Sequence, residues 1–374
     1  MQITASTYAS TGYATLAAAT STSAQTSSGA TLLTGTTEQA ATTITLSDAA
    51  KAALQVKDFL TVIAEARAKF DSLLKTAGVT SPLKGGKLAV DLASLDPREL
   101  FAISSSTNDT FTKDEQEGAS LEMQRRFEAA LSGPAAVAKV SGNYTGLYQA
   151  AADYLNSLSA EEKAEPEMVA ARAAIADAQK QLAADPKLKP DAGEDDPVAL
   201  YLSLVDARQT SPTRNISDVA GDVRAALDKA YADIKARGLV PIIDKARKSG
   251  ELVDLSKFDS RQVSAIALNT DGKFSTDEVR IAKSVIQSRS SAALLAGFKS
   301  ASKGSDPTGF SQNIISMYGS MSAEERQASG ISDTLYAAAV ANYQSTSKLM
   351  SMFNQATGSS SSGGGLSSLL GTSA

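Results

Sequence analysis

From Ser47 onward the apolar positions fall into a helical rhythm. Val56, Phe59, Leu60, Ile63, Phe70, Leu73 and Leu74 recur at i, i+3, i+4 spacing, which places them on one face of a long helix ending near Thr76. Gly78 supplies a left-handed stop. The rhythm then changes, and Lys87 to Leu92 reads as an extended piece. Asp96-Pro97-Arg98-Glu99 opens a short helix with an N-cap, a proline in the first turn and a glutamate at the third position. The next helix carries Leu121, Met123, Phe127 and Leu131, and another helical stretch follows Pro134. Ser159-Ala160-Glu161-Glu162 is a capping box, and an alanine-rich helix runs from about Met168 to Asp185.

Asp185 to Pro197 holds three prolines, a glycine and the acidic run Glu194-Asp195-Asp196, which is linker chemistry. Beyond it the pattern recurs at a fixed offset of 163 residues. Val90-Asp91-Leu92 becomes Val253-Asp254-Leu255, Asp96 and Arg98 become Asp259 and Arg261, and Ala102-Ile103 becomes Ala265-Ile266. Phe111, Asp114 and Glu115 become Phe274, Asp277 and Glu278, and Thr145-Gly146 becomes Thr308-Gly309. Ser159-Ala160-Glu161-Glu162 returns as Ser322-Ala323-Glu324-Glu325, and upstream Lys69, Lys75 and Gly78 align with Lys229, Lys235 and Gly238 after a three-residue shift. The register holds ungapped from Val90 to Glu162 and reads as an internal duplication. Its shared positions are apolar helix residues, caps and turns.

The expected fold is therefore all-α, with two tandem copies of a multi-helix module at residues 45–184 and 198–355, joined by the linker 185–197. The ends read as disordered. Residues 1–44 are rich in Ser, Thr and Ala with Glu38 as their lone charge, and residues 356–374 form a Ser/Gly tail. The head has neither a basic n-region nor a continuous apolar h-region, so it does not read as a cleavable signal. It resembles, in style, the N-termini of bacterial flagellar and other axial proteins, which implies an uncleaved export signal. No later segment has the length and apolarity of a membrane span.

Composition narrows the chemistry. Hydrophobic residues make up 43% of the chain, much of it alanine, with 5% aromatics and no Trp, which favours alanine-packed helices over a sheet core. A net charge of −5 gives no electrostatic case for nucleic acid or anionic membrane. With no Cys, disulfides and thiolate metal sites are excluded. With no His, the commonest general base, Ser-His triads and nearly all zinc chemistry are removed. The paired acids Glu161-Glu162 and Glu324-Glu325 lie in first helical turns, where the helix dipole favours acids, and read as caps. Asp91 with Asp96, and Asp254 with Asp259, read as strand-end and cap residues rather than a chelating pair.

One stretch holds a candidate ligand set: Ala267 to Glu278, with Asn269, Asp271, Gly272, Lys273, Phe274 and Ser275 between. It resembles the calcium loop of the EF-hand family, in which oxygens at positions 1, 3, 5, 7, 9 and 12 surround the cation, Gly stands at 6 and position 12 is a bidentate Glu. The resemblance implies a weak Ca²⁺ site made by Asn269 at position 3, Asp271 at 5, the Lys273 carbonyl at 7, Ser275 at 9 and Glu278 at 12. Ala267 departs from the pattern at position 1, where an acid is expected. The upstream copy, Ser104 to Glu115, keeps Phe111 and Glu115 but lacks the Gly and the ligands, and is expected to bind nothing. The same residues also read as structure alone. Ser275-Thr276-Asp277-Glu278 and Thr112-Lys113-Asp114-Glu115 are capping boxes, and Asp271-Gly272 is a turn.

These features point to a non-enzymatic structural or interaction protein of a bacterium, exported to a surface or flagellar assembly, with protein partners or self-association. The alternative is a cytoplasmic calcium-responsive regulator built on the degenerate loops.

Overall fold

The computed structural model describes residues 57–106, 109–247 and 249–358. The expectations for residues 1–44, and for the tail from 359 onward, lie outside them. Among the described residues there are thirteen α-helices and four strands of two residues each, so the fold is all-α.

The first half opens with α1, Phe59–Ala77, which buries Val62, Ala66, Phe70 and Leu74 at four-residue steps along one face. The helix begins later than the apolar rhythm predicts, because Lys57 and Asp58 are not helical; Ser47 and Val56 lie outside the described residues. Gly78 ends it at φ 66°, its amide bonded to the Leu74 and Lys75 carbonyls. A hairpin follows, β1 Leu83–Lys84 paired antiparallel with β2 Lys87–Leu88. Gly85 and Gly86 both sit at positive φ in its turn, a geometry that side chains resist.

The predicted extended piece is strand only at Lys87 and Leu88; Val90, Leu92 and Leu95 beyond it are buried in irregular chain. Then come α2 Pro97–Ser104, α3 Lys113–Ser141, α4 Thr145–Ser157, α5 Ala160–Ala164 and α6 Pro166–Ala184. Helix α3 runs through Pro134 without a break. Proline there forgoes one backbone bond. The turns beyond it are buried on two sides, Ala138 against one core and Ala136, Val137 and Val140 against another, which favours continuing the helix.

The predicted linker is tied down at its end. Asp196 is buried and caps α7, Pro197–Ala207, accepting from the Val198 and Ala199 amides at 2.9 and 3.2 Å. It also accepts from the Tyr148 hydroxyl at 2.6 Å. Val198 and Tyr201 of α7 pack into the core of α4 and α6, so the first packing unit continues past the linker.

The second half comprises α8 Ile216–Ala236, β3 Pro241–Ile242 paired parallel with β4 Glu251–Leu252, α9 Ser260–Ala267, α10 Thr276–Lys303, α11 Gly309–Ser320, α12 Ala323–Ser329 and α13 Asp333–Gly358. Helix α13 extends three residues into the stretch read as tail. Helices α2 and α9, and α3 and α10, start 163 residues apart (97 to 260, 113 to 276). Val90, Leu92, Ile103, Phe111 and Ala119 fill one core, and Val253, Leu255, Ile266, Phe274 and Ala282 fill another. The two strand pairs differ, one antiparallel and one parallel.

The halves meet where α3 crosses α11. A Cβ on Gly133 would lie 2.6 Å from Ser316 Oγ and 2.8 Å from its carbonyl oxygen, and one on Gly319 would lie 2.4 Å from Ala136 Cβ. The crossing admits no side chain at either position. Polar ties also join the halves, from the Ser211 amide to Glu128 Oε2 at 2.8 Å and from Gln262 Nε2 to Asp91 Oδ2 at 3.0 Å.

Gly319→Ala and Gly133→Ala should each lower stability by about 1–3 kcal/mol, the usual range for overpacking. Gly146→Ala meets nothing within 4 Å on α4 and should raise stability by about 0.5–1 kcal/mol. Urea unfolding of the three variants checks this; equal midpoints would show that the crossing carries no constraint.

Candidate functional site

The loop that follows α9 is built from turn chemistry. Asn269 takes a left-handed conformation at φ 49°, and its Oδ1 accepts from the Phe274 amide at 3.0 Å, closing the loop across five residues. Asp271 and Gly272 follow at φ 57° and 67°, in a region that Asn, Asp and Gly tolerate best. Phe274 is buried and anchors the loop in the core. Ser275 caps α10: its Oγ accepts from the Glu278 amide at 3.3 Å, and Glu278 Oε2 accepts from the Ser275 amide at 2.7 Å.

Glu278 is 3% exposed, yet its carboxylate is fully engaged. Oε1 accepts from Arg224 at 3.0 Å and from the Tyr231 hydroxyl at 2.8 Å. Oε2 accepts from Arg224 at 3.0 Å and from the Ser275 amide and hydroxyl. Burial pushes the carboxyl up, but the bonds from Ser275, Tyr231 and Arg224 outweigh it and hold Glu278 below its ordinary value of 4.5. The Tyr231 phenol is pushed well above its ordinary value, by burial and by this carboxylate.

The five predicted ligands do not converge on one point. Arg224 bonds the Lys273 carbonyl at 3.5 Å as well as Glu278, and Ser275 bonds the same carboxylate. Asp271 is held apart. Its Oδ1 accepts from Ser217 Oγ at 3.2 Å and its Oδ2 from Lys273 Nζ at 3.0 Å, and Lys273 draws its carboxyl below the ordinary value. The Asn269 side chain is spent on its own loop. Among the described residues, no three acidic side chains gather as a metal-holding group.

The upstream loop shares the pattern. Arg67 on α1 bonds Glu115 through both nitrogens, at 2.7 and 2.9 Å, and the Thr110 carbonyl at 3.3 Å. The Thr112 amide donates to the same carboxylate at 2.8 Å. Arg67 stands 4.8 Å from the centre of the Phe111 ring, as Arg224 stands 5.8 Å from that of Phe274. In each half an arginine from the preceding long helix thus spans the Glu at position 12, the carbonyl at position 7 and the Phe at position 8.

Sequence reasoning missed both arginines. When the helix-stop glycines Gly78 and Gly238 are aligned, Arg67 falls opposite Leu227 and Arg224 opposite Ala64, one helical turn out of register. The seven-residue spacing of Arg224 and Tyr231, which puts both on one face of α8, was an available signal.

The other candidate acids, Glu162 excepted, are structural. Asp96 and Asp259 cap α2 and α9, Asp91 accepts from the Ala93 amide, and Asp254 accepts from the Ser256 amide. Glu161 pairs with Arg98 and Glu324 with Arg261, both at the 163-residue offset. Comparison of the chain with family models, with curated proteins and with solved structures finds no match.

Arg224→Ala should destabilise the protein by roughly 1–3 kcal/mol at neutral pH, since it strands a buried carboxylate. Glu278 is depressed in the folded protein, so its contribution is present above pH 4.5 and is lost as pH falls through its folded value. The deficit of the variant should therefore be smaller at pH 3 than at pH 7. Urea unfolding at the two pH values measures it, and an equal deficit at both would contradict the assignment.

Proposed function

We propose that the chain is a non-enzymatic structural or interaction protein of a bacterium, built from two copies of one helical module and exported to a surface or flagellar assembly. The observation that carries the reading is an apolar surface on the second half at positions covered in the first. Leu147 of α4 is fully buried beneath α6 and α7, whereas Phe310, its counterpart 163 residues on, is 36% exposed. Phe310 meets Phe298 edge to face at 5.8 Å, and Phe298 is 57% exposed with Leu295 beside it at 53%. Leu349, Met350 and Met352 add exposed apolar surface near the end of α13. Grouped apolar exposure of this kind marks protein-binding surfaces.

The shared arginine-bridged caps and the matching helix starts support the duplication. In the same reading the loop 267–278 is a buttress, with the Arg224 guanidinium supplying the positive charge that a cation supplies in an EF-hand. Among the described residues no helix is long and apolar enough to cross a membrane.

A photo-crosslinking residue at Phe310, in the full chain expressed in its bacterial host, should give a discrete crosslinked protein species outside the cell. The same residue at Lys180, on the exposed side of α6, should give none. Crosslinks at neither position, or protein retained wholly inside the cell, would count against the reading.

A further inference from the structure

Five of the capping boxes among the described residues close in both directions, at α2, α3, α9, α10 and α12. The box at α5 does not. Ser159 Oγ accepts from the Glu162 amide at 3.1 Å, but the Glu162 carboxylate does not return to the Ser159 amide as Glu325 returns to Ser322 at 2.6 Å. Glu162 is instead 4% exposed, with Oε2 buried and without a hydrogen-bond partner. A buried acceptor left unpaired carries the full cost of its desolvation, which a closed cap would avoid. Such a departure from the local rule is characteristic of a binding site.

Glu162 is one of the residues lining a cavity of about 110 Å³ between α3, α4 and α6. The walls are apolar: Met123, Phe127, Tyr154, Leu155, Leu158 and Met168, with Tyr154 and Phe127 edge to face at 5.3 Å. The polar groups nearby are committed elsewhere. The Tyr154 hydroxyl donates to the Met123 carbonyl at 3.3 Å, Glu122 receives Arg125 and Arg126 at 2.7 and 2.8 Å, and Gln124 donates to Glu128. Lys163 donates to the Asn156 carbonyl. Among these groups, Glu162 is the one with a side-chain oxygen left unpaired.

We propose that this cavity binds a small apolar amine, its ammonium received by the Glu162 carboxylate and its hydrocarbon body by Phe127, Tyr154 and Met168. The volume lies somewhat below the roughly 150 Å³ of an engineered apolar cavity that holds benzene, so a single ring is the upper limit of the body it takes. Burial lifts Glu162 to about 7, with Lys163 opposing weakly, so near neutral pH the site is partly protonated. An arriving ammonium favours the charged carboxylate and expels that proton to solvent.

The test uses the full chain and benzylamine, with benzyl alcohol as the neutral analogue, titrated calorimetrically at pH 7 in two buffers of different ionisation enthalpy. The wild type should bind benzylamine saturably, release a fraction of a proton and prefer it to the alcohol. Glu162→Gln, checked for unchanged helicity, should weaken benzylamine at least about tenfold and abolish both the preference and the proton release. Ala171→Leu, which fills the cavity from α6, should block both compounds and stands as the second variant if Glu162→Gln folds poorly. Failure of benzylamine to bind at millimolar concentration, or undiminished binding in Glu162→Gln or Ala171→Leu, would overturn the proposal.

Discussion

A carboxylate taken out of water must be paired, and in this protein the pairing sets how the long helices lie. Glu115 and Glu278 each close a helix cap, and each sits 5% or less exposed. Without a counter-charge such a group would be expelled or protonated. Arg67 and Arg224 answer from the preceding long helices, and their reach pins α1 against the start of α3 and α8 against the start of α10. Because the same guanidinium also holds a loop carbonyl and faces a buried Phe, the loop, the cap and both helices move as one packed unit. The apolar cores of Phe70 with Phe111 and of Leu227 with Phe274 fill the space those pairs define.

The second constraint acts between the halves. Gly133 and Gly319 let α3 and α11 approach until backbone and small side chains touch, and the core of Ile314, Ile315 and Ala339 takes its walls from both halves. This docking draws α11 toward α3. Helix α4 is instead covered by α6 and α7, so the two halves end with different exposed faces. The first half closes over Leu147 and leaves a small cavity at Glu162; the second leaves Phe298 and Phe310 uncovered.

What the sequence made legible was local. Caps at Asp96, Thr112, Ser275 and Ser322, the stop at Gly78 and the 163-residue recurrence all involve residues a few positions apart or compared in fixed register. The turn residues Asn269, Asp271 and Gly272 were legible as well, and their left-handed conformations suit a turn whether or not a ligand comes to it. What was not legible depends on distant packing. The arginines lie 48 and 54 residues from their carboxylates and one turn out of register with each other. Pro134 reads as a helix boundary until burial on both sides of α3 is known. The linker composition gives no hint that Asp196 meets Tyr148. Glu162 carries the same four-residue signature as Glu325, and only the walls brought by α3, α4 and α6 separate their environments.

Arg224 supplies the positive charge that faces the buried carboxylate at position 12 of the loop. A double-mutant cycle of Arg224→Ala and Glu278→Gln, followed by urea unfolding with and without millimolar Ca²⁺, measures it directly. A coupling energy of roughly 1–3 kcal/mol, unchanged by calcium, is expected. Additivity of the two substitutions within about 0.5 kcal/mol, or a coupling that collapses when Ca²⁺ is added, would contradict it.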